Sequence, residues 1–168
     1  MRIILLIGYV FFCFAKNYYS DFDAIKIRDL YYKASANEKS CKELEDYIET
    51  TPKINAELLM GYKGISYMLK AKYLWNPIAK LNYFKVGKGY LDKAIKINEQ
   101  NVELRFLRFA IQSNAPSILN YSDNLTDDKK IILVSFSSIK DTDLKQRIKN
   151  YIISCDLCTN YEKSILNK

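Results

Sequence analysis

The sequence predicts an all-α protein of about seven helices, arranged as antiparallel hairpins. Apolar residues recur along most of the chain at the spacing of amphipathic helices. The 168 residues include only five glycines and three prolines, too few for the many turns of an all-β fold. Hydrophobic residues make up 49% of the chain, which is enough for a packed core. We therefore expect one helical domain over residues 16–168.

The first 15 residues have the composition of a signal peptide. Arg2 precedes an apolar run from Ile3 to Phe14, and Cys13 and Ala15 form a small-x-small cleavage pattern. The run is shorter than the about 17–25 apolar residues that span a bilayer. We expect cleavage after Ala15, export to the periplasm or secretion, and a net charge of +6 in place of +7. The alternative is an uncleaved anchor or a buried N-terminal helix.

The first two helices are predicted from residues that start and stop helices. Asp21 or Asp23 can cap the first helix. Ser40 and Glu43 form a capping-box pattern, which predicts the start of a second helix. That helix is expected to end at Thr51–Pro52, because a residue before proline is pushed out of helical geometry.

The two central helices are separated by a turn that contains Trp75. We predict the third helix over about residues 55–74. Asn76 is a favourable N-cap, and Pro77 is preferred at the first helical position. The fourth helix is therefore predicted over about residues 77–97.

Three further helices are predicted in the C-terminal part. Asn101 can cap a fifth helix over 102–113. Thr126 can open a sixth helix, for which the apolar run 131–136 leaves a buried strand as the alternative. A seventh helix is predicted over about 141–161.

The fourth helix is predicted to have a core face and a lysine face. At about 100° per residue, four lysines fall in one half of the helical wheel: Lys85, Lys88, Lys93 and Lys96. The other half holds apolar and small residues: Ala79, Phe84, Val86, Gly87, Tyr90, Leu91, Ala94, Ile95 and Ile97. Ile78 and Leu81 violate this division, so we expect the first turn to pack differently. Gly87 would let a neighbouring helix approach closely, whereas Gly89 has no such explanation.

Part of this pattern resembles a tetratricopeptide repeat. Gly87, Leu91 and Ala94 have the small, large and small spacing of the second helix of that repeat. The segment YLDKAIKIN followed by NVELRFLR is similar to the end of one repeat and the start of the next, and the likeness covers about residues 59–112. The whole chain also resembles small exported bacterial proteins with paired helices. The resemblance implies an α-α superhelix and no known chemistry.

The fifth helix is apolar on most sides, yet it contains Arg105 and Arg108, with Gln112 one turn further on. A buried guanidinium needs acceptors, because burial without them costs several kcal/mol. The arginines can form a structural clamp, or they can bind a small anionic ligand or a glycan through the guanidinium fork. The acids considered for a clamp are Glu57, Asp92 and Glu103.

Positive charge is concentrated in the middle of the chain. Residues 61–100 have a balance of +6, whereas residues 21–60 have a balance of −3. The simplest interpretation is a solvated face that improves solubility. The alternative is a docking face for an acidic protein, an anionic lipid or a glycan, which allows peripheral contact with a membrane. Nucleic acid is not expected, because the charge is mostly lysine and no reading motif is present.

Three cysteines follow the signal segment: Cys41, Cys155 and Cys158. A disulfide from Cys41 to Cys155 or Cys158, buried free thiols, and metal or redox chemistry at the last two cysteines all remain open. A zinc site is disfavoured, because it needs four ligands and the chain has no histidine.

The absence of histidine also limits the reactions this chain can perform. It excludes Ser-His-Asp and Cys-His catalysis within the chain and most zinc hydrolase sites. We expect a non-enzymatic exported protein without a cofactor, which binds another protein or forms part of an envelope assembly. The alternatives are the small-ligand or glycan binder and an enzyme that uses two carboxylates about 5–10 Å apart.

Overall fold

The computed structural model describes residues 24–51 and 55–166. Within these two ranges the regular structure is entirely helical, so the predicted all-α fold is confirmed. The apolar run 131–136 begins inside a helix and is not a strand. The predicted signal peptide, its cleavage position and the caps at Asp21 and Asp23 lie outside the described residues. The tetratricopeptide-like superhelix stays a prediction.

Eight α-helices occur in the described ranges. They are α1 (24–36), α2 (Glu38–Thr50), α3 (Ala56–Tyr73), α4 (Pro77–Ile97), α5 (Val102–Asn114), α6 (Leu125–Ser135), α7 (Thr142–Ser154) and α8 (Asn160–Ile165). Backbone contacts divide the chain into two compact units, Met1–Ile54 and Asn55–Lys168. None of the helices described has both the length and the apolar character needed to cross a membrane.

The first unit contains α1 and α2. Its two helices meet at Asn37, whose side chain accepts a hydrogen bond from the Lys39 backbone N–H at 2.9 Å. Asn37 is thus the N-cap of α2, and the capping box predicted at Ser40 is wrong because the helix already begins at Glu38. The thiol of Cys41 is buried and donates to the Ala34 carbonyl at 3.5 Å.

The start of α4 follows the predicted capping chemistry. The Asn76 side chain accepts from the backbone N–H groups of Ile78 and Ala79 at 2.9 and 3.1 Å, and Pro77 occupies the first turn. Asn101 caps α5 in the same way, through the Leu104 N–H at 3.1 Å. The observed bounds of α4 and α5 therefore agree with the prediction.

The prediction of a single seventh helix over about residues 141–161 is wrong, because this segment forms two helices, α7 and α8. α7 ends at Ser154, and a turn follows in which the Cys158 N–H donates to the Cys155 carbonyl at 3.2 Å. Thr159 and Glu162 then form a reciprocal capping box at the start of α8. This box satisfies N–H groups at a new helix start and favours a break over one continuous helix.

Glycines hold α3 and α4 in close antiparallel contact. A Cβ at Gly61 would lie near Leu91 and Ala94, whereas one at Gly87 would meet the backbone of Gly64. Residues later in α3 therefore contact residues earlier in α4, as expected for antiparallel helices. A Cβ at Gly64 would lie only 2.6 Å from the Gly87 carbonyl oxygen, so neither position has room for a side chain. The close approach predicted at Gly87 is confirmed.

One hydrophobic cluster of the second unit lies among α5, α6 and α7. Its buried side chains come from these three helices, from the turn after α6 and from the segment after α7: Phe106, Phe109, Ile132, Phe136, Leu144, Ile148, Ile152, Cys158 and Leu166. Tyr62 of α3 donates a hydrogen bond to Glu103 of α5 at 2.6 Å. This bond joins the α3–α4 hairpin to α5 and fixes the exposed side of α4 relative to the core.

Candidate functional site

The two arginines of α5 converge on one buried carboxylate. Asp128 of α6 has no exposed surface. Arg108 donates to it from Nε at 2.6 Å and from Nη2 at 2.9 Å, and Arg105 donates from Nη1 at 3.0 Å. The bidentate fork and the second guanidinium satisfy both carboxylate oxygens, which is the arrangement that makes a buried ion pair tolerable.

A second carboxylate completes this cluster. Arg108 Nη1 donates to Asp92 Oδ1 at 3.1 Å, and the Tyr121 hydroxyl lies 3.5 Å from the same oxygen. Burial lowers the pKa of Arg108, but the hydrogen bonds and charges of Asp128 and Asp92 outweigh burial and raise its pKa overall. Burial, followed by the negative charge of Asp92, raises the pKa of Tyr121. The Nε of Arg105 donates to the Glu99 carbonyl at 2.9 Å.

This geometry favours the structural clamp over an anion-binding pocket. Two guanidinium groups are matched by two carboxylates from the same chain, so little charge remains for a ligand. Of the acids considered from sequence, Asp92 takes part, whereas Glu103 accepts from Tyr62 and Glu57 accepts from Asn98 at 3.5 Å. The two acids that converge here, Asp92 and Asp128, are both bound by Arg108.

Asp128 was missed from sequence because its segment was interpreted only as a helix start. A signal was present, since Asp128, Ile132 and Phe136 recur every fourth residue and are all buried. An acid on the apolar stripe of a helix requires a buried partner, and the arginines of α5 are the cations that meet it.

Gln112 is buried one turn beyond Arg108 but does not add an anion donor. Its Nε2 donates to Asn124 Oδ1 at 3.3 Å, and its Oε1 has no hydrogen-bond partner within the described ranges. A free acceptor oxygen would repel an anion. Gln112 therefore gives no support to the predicted ligand pocket.

The exposed side of α4 is a charged surface that the sequence predicts and that is open to solvent in the structure. We define the α4 outer face as six exposed residues between its second and last turns: Asn82, Lys85, Val86, Gly89, Lys93 and Lys96. Lys88 is not part of it, because its Nζ lies over the Tyr121 ring at 5.0 Å from the centroid.

Two hydrophobic assignments on α4 are wrong. Val86 and Ile97 were placed on the core face, but both are exposed. Ile78 and Leu81, which violated the division of the helical wheel, are 73% and 40% exposed. The helical wheel gives the direction of each side chain on α4. It does not show that α3 covers only the part of α4 around Gly87.

The three cysteines in the described ranges are free. Of the alternatives left open for Cys41, a bridge is therefore absent and the thiol is free and buried, donating to the Ala34 carbonyl within its own unit. Cys158 is buried in the core, where desolvation, with the nearby Cys155, raises the pKa of its thiol to about 12. Among the described side chains, no three acids or cysteines are placed to hold a metal ion.

Comparisons with known proteins give no family assignment. Family models, curated proteins and solved structures each yield no match to this chain. Its function must therefore be inferred from the surfaces and side chains described above.

Proposed function

We propose that the protein is an exported, non-enzymatic helical module that binds an acidic protein partner through the α4 outer face. The observation that carries the proposal is the row of exposed lysines on this face. They lie on a helix whose backbone packs directly against that of α3 at Gly64 and Gly87. The proposed export is supported by the sequence of residues 2–15.

Charge complementarity favours an acidic partner. The chain has six lysines and no acid between Glu57 and Asp92. Lys85 and Lys93 are eight residues apart, which places their Cα atoms about 12 Å apart along the helix. A partner that presents carboxylates at this spacing could pair with both, and such pairs mainly determine specificity and association rate.

Gly89 gives the outer face a place for close contact. A Cβ at Gly89 would meet nothing within 4 Å, so no contact inside the chain requires glycine there. Glycine in the middle of a helix costs about 1 kcal/mol relative to alanine. A partner backbone that approaches α4 at Gly89, as α3 does at Gly87, would account for this cost.

The fixed position of α4 supports a binding role. The glycine contacts with α3 and the bond between Tyr62 and Glu103 hold the helix before any partner arrives. A preorganised surface loses less entropy on binding. The same argument applies if the partner is a component of an envelope assembly.

Photocrosslinking in the native cell tests this proposal. The photoreactive residue p-benzoylphenylalanine replaces Val86 on the outer face or, as a control, Val134, which is exposed on α6. We expect an adduct from position 86 whose crosslinked segment, sequenced by mass spectrometry, is rich in Asp and Glu. Absence of an adduct, equal adducts from both positions, or an adduct with a second copy of this chain would contradict the proposal.

A further inference from the structure

The last two cysteines lie at the two ends of one tight turn. α7 ends at Ser154, and the Cys158 N–H donates to the Cys155 carbonyl at 3.2 Å. A turn closed by this bond places its first and fourth Cα atoms less than about 7 Å apart. Cysteines joined by a disulfide have Cα atoms about 4.4–6.8 Å apart. The backbone of the turn therefore has the span that a bond between the two sulfur atoms requires.

The two thiols also contact each other. Burial raises the pKa of Cys158 to about 12, and the next causes are the nearby charge of Cys155 and a hydrogen bond between the two thiols. A hydrogen bond between these groups requires the two sulfur atoms to face each other. The change from this contact to a disulfide shortens one sulfur–sulfur distance to about 2.0 Å.

Contacts from two neighbouring elements hold the turn in place. Lys129 of α6 donates to the Leu157 carbonyl at 2.9 Å and forms an ion pair with Glu162 at 2.9 Å. Glu162 also belongs to the capping box that begins at Thr159, directly after Cys158. A turn fixed in this way loses little conformational freedom when its two ends are joined.

The two thiols differ in their access to solvent. Cys155 is partly exposed, whereas Cys158 is buried. The central residues of the turn, Asp156 and Leu157, are exposed, so the turn lies at the surface. A dissolved reagent therefore reaches the Cys155 sulfur first, and Cys158 reacts with a sulfur that is already bonded to Cys155.

We propose that Cys155 and Cys158 form an intramolecular disulfide by exchange with a low-molecular-weight disulfide such as oxidised glutathione. The Cys155 thiolate attacks one sulfur of this reagent, which forms a mixed disulfide and releases a glutathione thiolate that takes up a proton. Cys158 then loses its proton, and its thiolate attacks the Cys155 sulfur. The Cys155–Cys158 bond forms as the second glutathione leaves. Two cysteine thiols are thus oxidised, and one external disulfide is reduced to two thiols.

The surroundings of Cys158 favour the second step once the first has occurred. In the mixed disulfide Cys155 no longer has a thiol, so its charge and its hydrogen bond cease to raise the pKa of Cys158. The Lys129 ammonium, which lowers that pKa, remains near it. The sulfur under attack is held in the same turn, and such proximity gives a high effective concentration.

The proposed disulfide lies outside the α4 outer face and goes beyond the protein binding proposed above. A test in solution requires neither a partner nor export, so either proposal can fail while the other stands. If the protein is exported as proposed, it would meet an oxidising compartment, in which disulfides persist. The bond would then close the turn that joins α7 to α8.

Peptide mass spectrometry of the full-length protein tests for this bond. The protein is equilibrated with oxidised and reduced glutathione, quenched with acid, alkylated in denaturant and digested with trypsin. Cys155 and Cys158 fall in one tryptic peptide, residues 150–163, while Cys13 and Cys41 fall in others. We expect this peptide to become lighter by two hydrogen atoms and to escape alkylation at both cysteines. Persistent glutathione adducts, or a disulfide to Cys13 or Cys41 in its place, would overturn the inference.

The folded protein should favour the disulfide more than the unfolded chain does. At the same glutathione concentrations, the ratio of oxidised to reduced peptide 150–163 should be at least about tenfold higher in the folded protein than in urea, because folding holds the two sulfur atoms together. By linkage, oxidation should then raise the folding equilibrium constant by the same factor. An equal or lower ratio in the folded protein would overturn the inference.

Single variants test the order of the two steps. Cys158→Ala lacks the second thiol, so it should retain glutathione on Cys155. Cys155→Ala leaves only the buried thiol of the turn, which should gain glutathione at least about tenfold more slowly. Cys41→Ala is the control and should form the disulfide like the unaltered protein. Equal adducts in the two turn variants, at equal helicity by circular dichroism, would overturn the proposed exchange. The comparison of folded and unfolded unaltered protein does not depend on the folding of any variant.

Discussion

Asp128 determines what the two arginines of α5 can do. The sequence predicted correctly that Arg105 and Arg108 would need acceptors, and it included Asp92 among them. It could not identify Asp128 as the central acceptor, because the arginines and this acid are 23 and 20 residues apart and meet only when α5 and α6 pack. Tertiary packing therefore decides whether these charged residues bind a ligand or form a structural clamp.

We expect Asp128→Asn to destabilise the second unit strongly. The substitution leaves two guanidinium groups around a neutral amide, and removal of one member of a buried ion pair costs about 3–5 kcal/mol. Asp127→Asn is the control: Asp127 is the neighbour of Asp128 in sequence but is exposed, so its substitution should change the free energy of unfolding by about 0.5 kcal/mol or less. Urea denaturation measures the free energy of unfolding of both variants. Equal stability of the two variants would argue against the clamp.

Cys158 should be a poorly reactive thiol. Its burial raises its pKa to about 12, so at pH 8 the thiol is protonated and lacks the nucleophilic thiolate. In the folded protein at pH 8, iodoacetamide should modify the less buried Cys155 well before Cys158. Peptide mass spectrometry measures which cysteine is modified first. In urea, where the protein is unfolded, the two cysteines should be modified at the same rate. Faster labelling of Cys158 in the folded protein would show that its surroundings are not those described.

At the scale of the elements, helix boundaries were predictable where a cap is local. Asn76 and Asn101 accept hydrogen bonds from backbone N–H groups two or three positions away, and Pro77 acts through its own fixed backbone angle, so the sequence contains the whole signal. α7 and α8 were merged because apolar spacing continued across a turn, although Thr159 and Glu162 had the spacing of a capping box. The exposed Val86 and Ile97 show the limit of a helical wheel, which does not reveal how much of a helix face the neighbouring helix covers.

The two glycines of α4 provide a matched pair for a test of packing. Gly87→Ala should destabilise the protein by about 1–3 kcal/mol, because the new Cβ would meet Gly64 and Met68. Gly89→Ala should stabilise it by up to about 1 kcal/mol, because that side is open and alanine favours the helix. Chemical denaturation gives both values. A loss of stability at both positions would mean that Gly89 also serves the fold.

At the scale of the molecule, charge distribution is more informative than net charge. The total of +7 could be read from composition, but its meaning depends on which lysines are exposed. Folding places Lys88 over Tyr121 and leaves Lys85, Lys93 and Lys96 in solvent, while the arginines turn inward. The sequence predicted the lysine face, yet the choice between a solvated face and a docking face requires a partner and cannot come from one chain.

Charge reversal on the α4 outer face tests the central claim most directly. The variant Lys85→Glu, Lys93→Glu, Lys96→Glu is compared with Lys130→Glu, Lys140→Glu, Lys149→Glu, which changes the net charge equally but outside the hairpin. The measurement is the yield of the photocrosslinked adduct from position 86 in native cells. We predict at least about a tenfold loss in the first variant and no change in the second, because only the first opposes an acidic partner. Equal yields in the two variants, at matched protein levels, would contradict the account.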